Sequence, residues 1–368
     1  MVEVTKIGNK TLVMDGKILS LFKKGSLLRQ MYYGGYEDFD GANGGVWSKY
    51  IHIPITTAPL YETAVRVVID SENVSVYSPD NRLLAQAPLA SEFWSSVRTD
   101  GYDIRPFDEK FNQLYFWLWE WDYTNKDAYL WVILPPQTLE LNIAFGNPLA
   151  KLSSYYGRDY VFLAYYDAEE DSVNSFPSGW ELNDFNGSPS IYVTDARAYQ
   201  GSKSIYGKQP TTGAPSHWYC SYPIEVKSKI VVEYAVNVDG KLNSGSANMF
   251  VFGIGNDQFV NNAPDIFIGR INYVHGGDSI YTDRTTLTSL TLDTWYHTIQ
   301  IFDFDNQQYK VILNDTDYGW FDFEETATVS DINRFHWGDD NWAGFVDMLM
   351  IFPCDESINF ATPEIATF

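Results

Sequence analysis

The apolar residues of this chain come in short runs, and those runs are written in strand-forming residues. WSKYIHIPI, TAVRVVID, VSVYSP, YDIRPF, LYFWLWEWD, AYLWVIL and ELNIAF follow one another between residues 47 and 145, each closed by Pro, Asn, Asp or Gly. Val, Ile, Thr, Tyr, Phe and Trp fit a pleated, half-buried surface, and runs this short leave no room for an amphipathic helix. Aromatics make up 17% of the chain, and 26 Gly and 16 Pro supply the breaks. The pattern predicts an all-β protein.

At 368 residues the chain is long enough for two domains. Residues 1–45 read as an attachment arm: short strands around an Asp15-Gly16 turn, then the glycine-rich linker GGYEDFDGANGG. Its Asp38-Phe39-Asp40-Gly41 has the start of a calcium loop but lacks the remaining EF-hand ligand positions. Residues 46–155 carry the regular strand runs of a β-sandwich. Residues 156–357 hold a second, larger set, including KIVVEYAVNV, TWYHTIQIFDF and AGFVDMLMIF with long polar loops between them, which suits a two-sheet jelly roll. Residues 358–368 form a C-terminal tail, either a strand or a loose end.

The aromatic run NQLYFWLWEWDY poses the sharpest functional question. Strand alternation predicts Tyr115, Trp117, Trp119, Trp121 and Tyr123 on one face, with Glu120 and Asp122 on the other. Two carboxylates at i and i+2 lie roughly 7 Å apart, a spacing compatible with glycosidase chemistry. The strand signature Glu-x-Asp-x-x-Glu would need a third acid where Asn125 stands. No Gly-x-Ser-x-Gly, P-loop or His-Glu-x-x-His is present either, so no residue is expected to be catalytic.

Charge narrows the partners. The formal net charge is −23, from 48 acidic and 25 basic residues. Such a surface repels nucleic acid and anionic lipid and attracts cations. Cys220 and Cys354 stand in no metal-ligand spacing, leaving open a disulfide or two buried thiols. The five histidines form no zinc motif. MVEVTKIGNKTLVMDGKILSLF lacks the apolar core and small-residue cleavage site of a signal peptide. No window has the roughly 18 apolar residues of a membrane span.

Two resemblances emerge. Trp47-Ser-Lys-Tyr50 with Ile53-Pro54, Tyr102-Asp-Ile-Arg105, Trp117-Leu-Trp-Glu120, Trp131-Val-Ile-Leu-Pro135 and Phe145-Gly-Asn-Pro-Leu-Ala150 resemble, in order, the domain of unknown function 2341 of archaeal and bacterial surface proteins. No activity attaches to that family, which implies that the aromatic strand is framework. The second half resembles a concanavalin A-like, laminin-G-like domain. The matching segments are Leu292-Asp-Thr-Trp-Tyr-His-Thr-Ile-Gln-Ile301, Tyr309-Lys-Val-Ile-Leu-Asn-Asp315, Phe335-His-Trp-Gly338 and Ala343-Gly-Phe-Val-Asp-Met-Leu-Met-Ile351. The glycine that usually follows the second of these is absent, since Thr316 stands there.

This second resemblance implies a structural Ca²⁺ linking first and last strands, here through Asp167 and Asp347. Asp347, a charge inside an apolar strand, needs a cation or several hydrogen-bond donors. A glycan site is expected from Trp320, Trp337 and Trp342 with Asp339 and Asp340, with exposed tryptophan marking a site and buried tryptophan marking core. The combined expectation is a non-enzymatic virion surface protein (tail, fibre or capsid decoration) of a bacterial or archaeal virus. Residues 1–45 would join it to other virion proteins as a homo-oligomer, and the second domain would bind host-surface glycan. A cellular surface-layer adhesin and a glycan-cleaving jelly roll are the alternatives.

Overall fold

The computed structural model describes residues 2–7, 10–15, 18–23, 26–32, 39–40, 45–184, 189–208, 218–239, 249–260, 263–274, 279–282, 285–338 and 343–368. Strands dominate, as the short runs predict, and the chain divides into two compact units. One comprises Met1–Val161 with Asp355–Phe368, and the other Phe162–Cys354. The second is therefore an insertion in the chain of the first.

In the first unit, Val2–Ile7, Lys10–Asp15, Ile18–Lys23 and Ser26–Tyr32 form an antiparallel meander in sequence order. The sandwich begins with Lys49–Thr57, which buries Ile51, Ile53 and Ile55 on alternate positions. It pairs with Glu140–Phe145, and that strand pairs with Arg105–Phe107. The second sheet runs Phe116–Asp122, Asp127–Leu134, Thr63–Ile69, Val74–Tyr77, Leu83–Ala87. Between the sheets lie Val65, Val67, Leu130, Val132, Leu141 and Ile143, joined by Phe93 from the helix Ala90–Ser96. The tail is neither loose nor separate. Asn359–Phe360 and Glu364–Thr367 both pair with Lys49–Thr57. Asp355 braces this return by accepting from the Leu60 and Tyr61 amides at 2.6 and 3.3 Å.

Trp47, Asp103 and Arg105, from two of the segments quoted above, form one buried cluster. Arg105 is fully buried. Its guanidinium donates to the carbonyls of Asp40, Tyr102, Ile104 and Lys151 at 2.5–2.8 Å and lies 5.1 Å over the Trp47 ring. Trp47 donates through its indole to the Asp103 carbonyl. The Asp103 carboxylate in turn accepts from the Arg98 and Gly146 amides at 3.0 and 2.7 Å. Trp47, Asp103 and Arg105 thus satisfy loop backbone groups. The cluster is framework.

The second unit is a larger sandwich. Its eight-stranded sheet runs Ser190–Thr194, Ser204–Lys208, Ala343–Pro353, Lys229–Val238, Trp295–Asp303, Gln308–Leu313, Thr316–Asp322, with Ala164–Tyr166 also on Ala343–Pro353. The seven-stranded sheet runs Glu181–Asp184, Trp218–Pro223, Arg334–Gly338, Met249–Gly255, Phe267–Val274, Ser279–Thr282, Thr286–Ser289. Trp218, Trp337, Tyr234, Phe252 and Ile351 are among the residues filling the core between them. Cys220 and Cys354 are both buried and are not joined in a disulfide, which closes that alternative.

Packing here leaves no slack at Gly207. A β-carbon there would stand 2.8 Å from the Trp337 ring and 3.3 Å from that of Trp218. Two fully buried indoles cannot retreat without repacking. Gly207→Ala is expected to destabilise the second unit by about 2–3 kcal/mol, read as a lowered midpoint in chemical denaturation.

Candidate functional site

The aromatic strand does not present a single five-membered row. Leu118 opposes Leu130 and Glu120 opposes Tyr129, which makes Trp119 the extra residue of a β-bulge. Before the bulge, Phe116 and Leu118 point into the core, and after it Trp121 and Tyr123 do. Trp117 instead joins a cross-strand ladder with Trp131, Arg66 and Tyr77, in which the Arg66 guanidinium lies 5.0 Å over Tyr77 and 5.7 Å over Trp131. Asp122 caps the following turn, accepting from the Thr124 and Asn125 amides and the Asn125 side chain at 2.6–2.9 Å. Its carboxylate is thereby committed to the turn. Glu120 is exposed.

Asp167 and Asp347 each find separate donors. Asp167 accepts from the Tyr165 hydroxyl at 2.7 Å and the Glu169 amide at 3.2 Å. Asp347 is 3% exposed, and its Oδ2 accepts from the Tyr199 and Gln200 amides at 2.7 and 3.1 Å. Its Oδ1 is buried without a hydrogen-bond partner, so burial pushes the carboxyl up to about 7, with Glu169 adding to the rise. The location comes from a bulge in Ala343–Pro353: Ala235 opposes Asp347 while Glu233 opposes Met350, and Met348 adopts φ +57°. Among the described residues no three acidic, His or Cys side chains converge on one point. As a side-chain set this falls short of the six to eight oxygens calcium takes; of these two carboxylates it is Asp347 that keeps a buried oxygen, Oδ1, without a hydrogen bond.

The expected glycan residues separate by burial. Trp337 is fully buried, edge-on to Trp218 at 5.5 Å. No face of its ring is open to a ligand, so its assignment to a glycan site is corrected to core. Asp339, Asp340 and Trp342 lie outside the described residues. Trp320 is 39% exposed.

What turns Trp320 outward is legible in the backbone. Gln308–Leu313 and Thr316–Asp322 form a hairpin whose two-residue loop, Asn314-Asp315, has φ +46° and +61°. Asn and Asp tolerate this left-handed loop, which explains how the hairpin closes without the missing glycine. Along the second strand Asp317 opposes Ile312, but Trp320 opposes Lys310. One extra residue is therefore accommodated, at Gly319 with φ +83°. Tyr318 and Phe321 pack against the core. Without the bulge, alternation from Tyr318 would send residue 320 inward as well.

Trp320 lines a pocket of about 400 Å³ with Thr282, Thr285, Gln308, Tyr309, Phe321, Asp322 and Glu324. Thr282 and Thr285 come from the outer end of the seven-stranded sheet, and the others from the outermost hairpin of the eight-stranded sheet and the segment after it. The polar groups are held in place. Glu324 accepts from Gly269 N at 2.9 Å and from the Tyr309 hydroxyl at 3.3 Å. The Gln308 amide donates to Asp322 Oδ1 at 3.0 Å. An exposed indole beside fixed carboxylates, an amide and hydroxyls is equipped to stack a ring and bond its hydroxyl groups. The sequence reading missed Thr282, Thr285, Gln308, Asp322 and Glu324, because they converge from two different sheets.

The domain of unknown function 2341 family matches residues 100–183. No curated protein matches the chain. Among solved structures, a carbohydrate esterase from the Shiga toxin-encoding bacteriophage phi24B is 14% identical and covers 53% of this chain and 99% of its own, at a TM-score of 0.37. The cellulose induced protein Cip1 is 13% identical, covering 51% and 96%, also at 0.37. A xylan-binding domain from Paenibacillus barcinonensis is 14% identical, covering 53% and 95%, at 0.30. Scores this low leave the chemistry of those proteins with those proteins.

Proposed function

We propose that this chain is a non-enzymatic glycan-binding protein of a surface assembly. The observation that carries the reading is the pocket at Trp320: a bulge is spent on exposing a large aromatic side chain beside fixed hydrogen-bonding groups. Affinity electrophoresis of the full chain through gels containing soluble polysaccharides tests it. At least one polysaccharide is expected to retard the protein, and the retardation is expected to disappear in Trp320→Ala. Unretarded migration through a broad panel would refute the reading.

The amino-terminal meander supplies the attachment. Among the described residues its strands pair only with one another, and a sheet edge that no strand covers is a template for pairing with another chain. A meander followed in the chain by two sandwiches, the second of which carries the Trp320 pocket, suits a virion surface protein (tail, fibre or capsid decoration). Full-length protein is expected to be oligomeric in size-exclusion chromatography with light scattering, and a chain starting at Val46 to be monomeric. Two monomers would remove the meander's role.

A further inference from the structure

Trp320, Gln308 and Asp322 all line the pocket, and the hairpin sets them in a fixed pattern. Past the bulge at Gly319 the pairing is regular: Trp320 opposes Lys310, Phe321 opposes Tyr309 and Asp322 opposes Gln308. Alternation therefore puts Trp320 and Asp322 on one face, about 7 Å apart along the strand. Gln308 lies about 5 Å across from Asp322. Phe321 and Tyr309 take the other face, toward the core. The amide and carboxylate are bonded in one orientation. A carboxylate only accepts, so the Gln308 amide turns its nitrogen to Asp322, and Nε2 donates to Oδ1 at 3.0 Å. That bond uses one hydrogen of Nε2 and one carboxylate oxygen. The second hydrogen and Oδ2 are a donor and an acceptor set side by side, on residues that are half-buried and exposed, respectively.

From this we infer that the site reads two adjacent hydroxyls of a hexopyranose stacked on Trp320, and so takes chains whose linkage leaves such a pair free. This rests on the glycan-binding reading and specifies its ligand class. One hydroxyl donates to Asp322 Oδ2, a charge-assisted bond, while the oxygen of its neighbour accepts from Gln308 Nε2. A lone hydroxyl satisfies one of these groups and leaves the other desolvated without a partner. Linkage decides which case arises. A 1,4-linked hexose chain leaves hydroxyls 2 and 3 free on every unit, and these are neighbours. A 1,3-linked chain leaves 2 and 4, which the linked carbon separates, so no unit within the chain presents the pair. The site thus distinguishes chains of the same sugar by the position of their bonds, through groups left unpaired by the wrong one.

The test is affinity electrophoresis of the full chain through gels holding soluble polysaccharides in pairs, the same sugar in 1,4 and in 1,3 linkage: glucans, mannans and galactans. The polymers are long, so that chain ends contribute little. At least one 1,4-linked member is expected to retard the protein, with an apparent dissociation constant at least about tenfold below that of its 1,3-linked partner. Gln308→Leu removes the donor, and Asp322→Asn keeps the side chain's shape while removing an acceptor. Each is expected to narrow the ratio by at least about threefold. A 1,3-linked chain bound as tightly as its partner or more so, or a ratio that neither variant changes, would overturn this inference while leaving glycan binding standing. Migration unretarded by every member of the panel would instead overturn the glycan-binding reading, and the inference with it.

Discussion

Arg105→Ala is expected to lower the melting transition of the first unit by about 10 °C, leaving that of the second unit in place. The side chain is fully buried and satisfies four backbone carbonyls. Truncation leaves those acceptors unpaired in a dry environment and takes the cation off Trp47. Hydrogen bonds from a charged donor are worth about 1.5–3 kcal/mol each, and they do not add independently. A loss of about 4 kcal/mol is therefore a conservative expectation, which for a unit of this size corresponds to about 8–16 °C. Arg105→Lys should recover little, because an ammonium cannot span the fork's four acceptors. Differential scanning calorimetry of the full chain resolves the matter. A shift below about 2 °C would mean that the cluster is peripheral to the unit.

Asp347 gives the second large effect, and it depends on pH. Its carboxyl titrates at about 7 in the folded chain against an ordinary 3.8, so the native state holds the proton more tightly than the unfolded state. The associated stability is present in full below about pH 4 and is lost as pH rises through 7, on the order of 4 kcal/mol in total. Other carboxyls pull the opposite way. Asp303, paired with Lys229 at 2.9 Å, is held below its ordinary value. The clean quantity is accordingly the difference between Asp347→Asn and the parent. It should move in favour of the variant by several kcal/mol between pH 4 and 8, measured as the denaturation midpoint of the second unit. A difference constant with pH in calcium-free buffer would contradict this account of Asp347. If calcium occupies the space beside Oδ1, adding it at pH 8 should restore the parent's stability and leave Asp347→Asn unmoved.

The strands and the two-sandwich plan were legible because period-two alternation and breaker residues act locally. Three features were not. The bulge at Trp119 resets the alternation halfway along its strand, and composition alone treats all four tryptophans of that region alike. The return of Asn359–Phe360 and Glu364–Thr367 to Lys49–Thr57 is a pairing across the whole chain, for which a short polar run gives no sign. Trp320 and Trp337 are the same residue type near strand ends, yet one is exposed and the other fully buried. A signal for the difference does exist: Gly319 immediately precedes Trp320 inside a strand run, and an isolated strand glycine marks a bulge. The pocket's polar residues carry no comparable mark, since what unites them is the meeting of two sheet ends.

The central claim is that Trp320 anchors a glycan, and isothermal titration with the oligosaccharide of a retained polysaccharide tests it most directly. The parent protein is expected to bind and Trp320→Ala to bind at least about thirtyfold more weakly, the consequence of removing a stacking anchor worth about 2 kcal/mol. The two proteins should share one melting temperature, because the indole is partly exposed and lies on an outermost strand. Equal affinity in the two proteins would show that the ligand, wherever it binds, does not stack on Trp320.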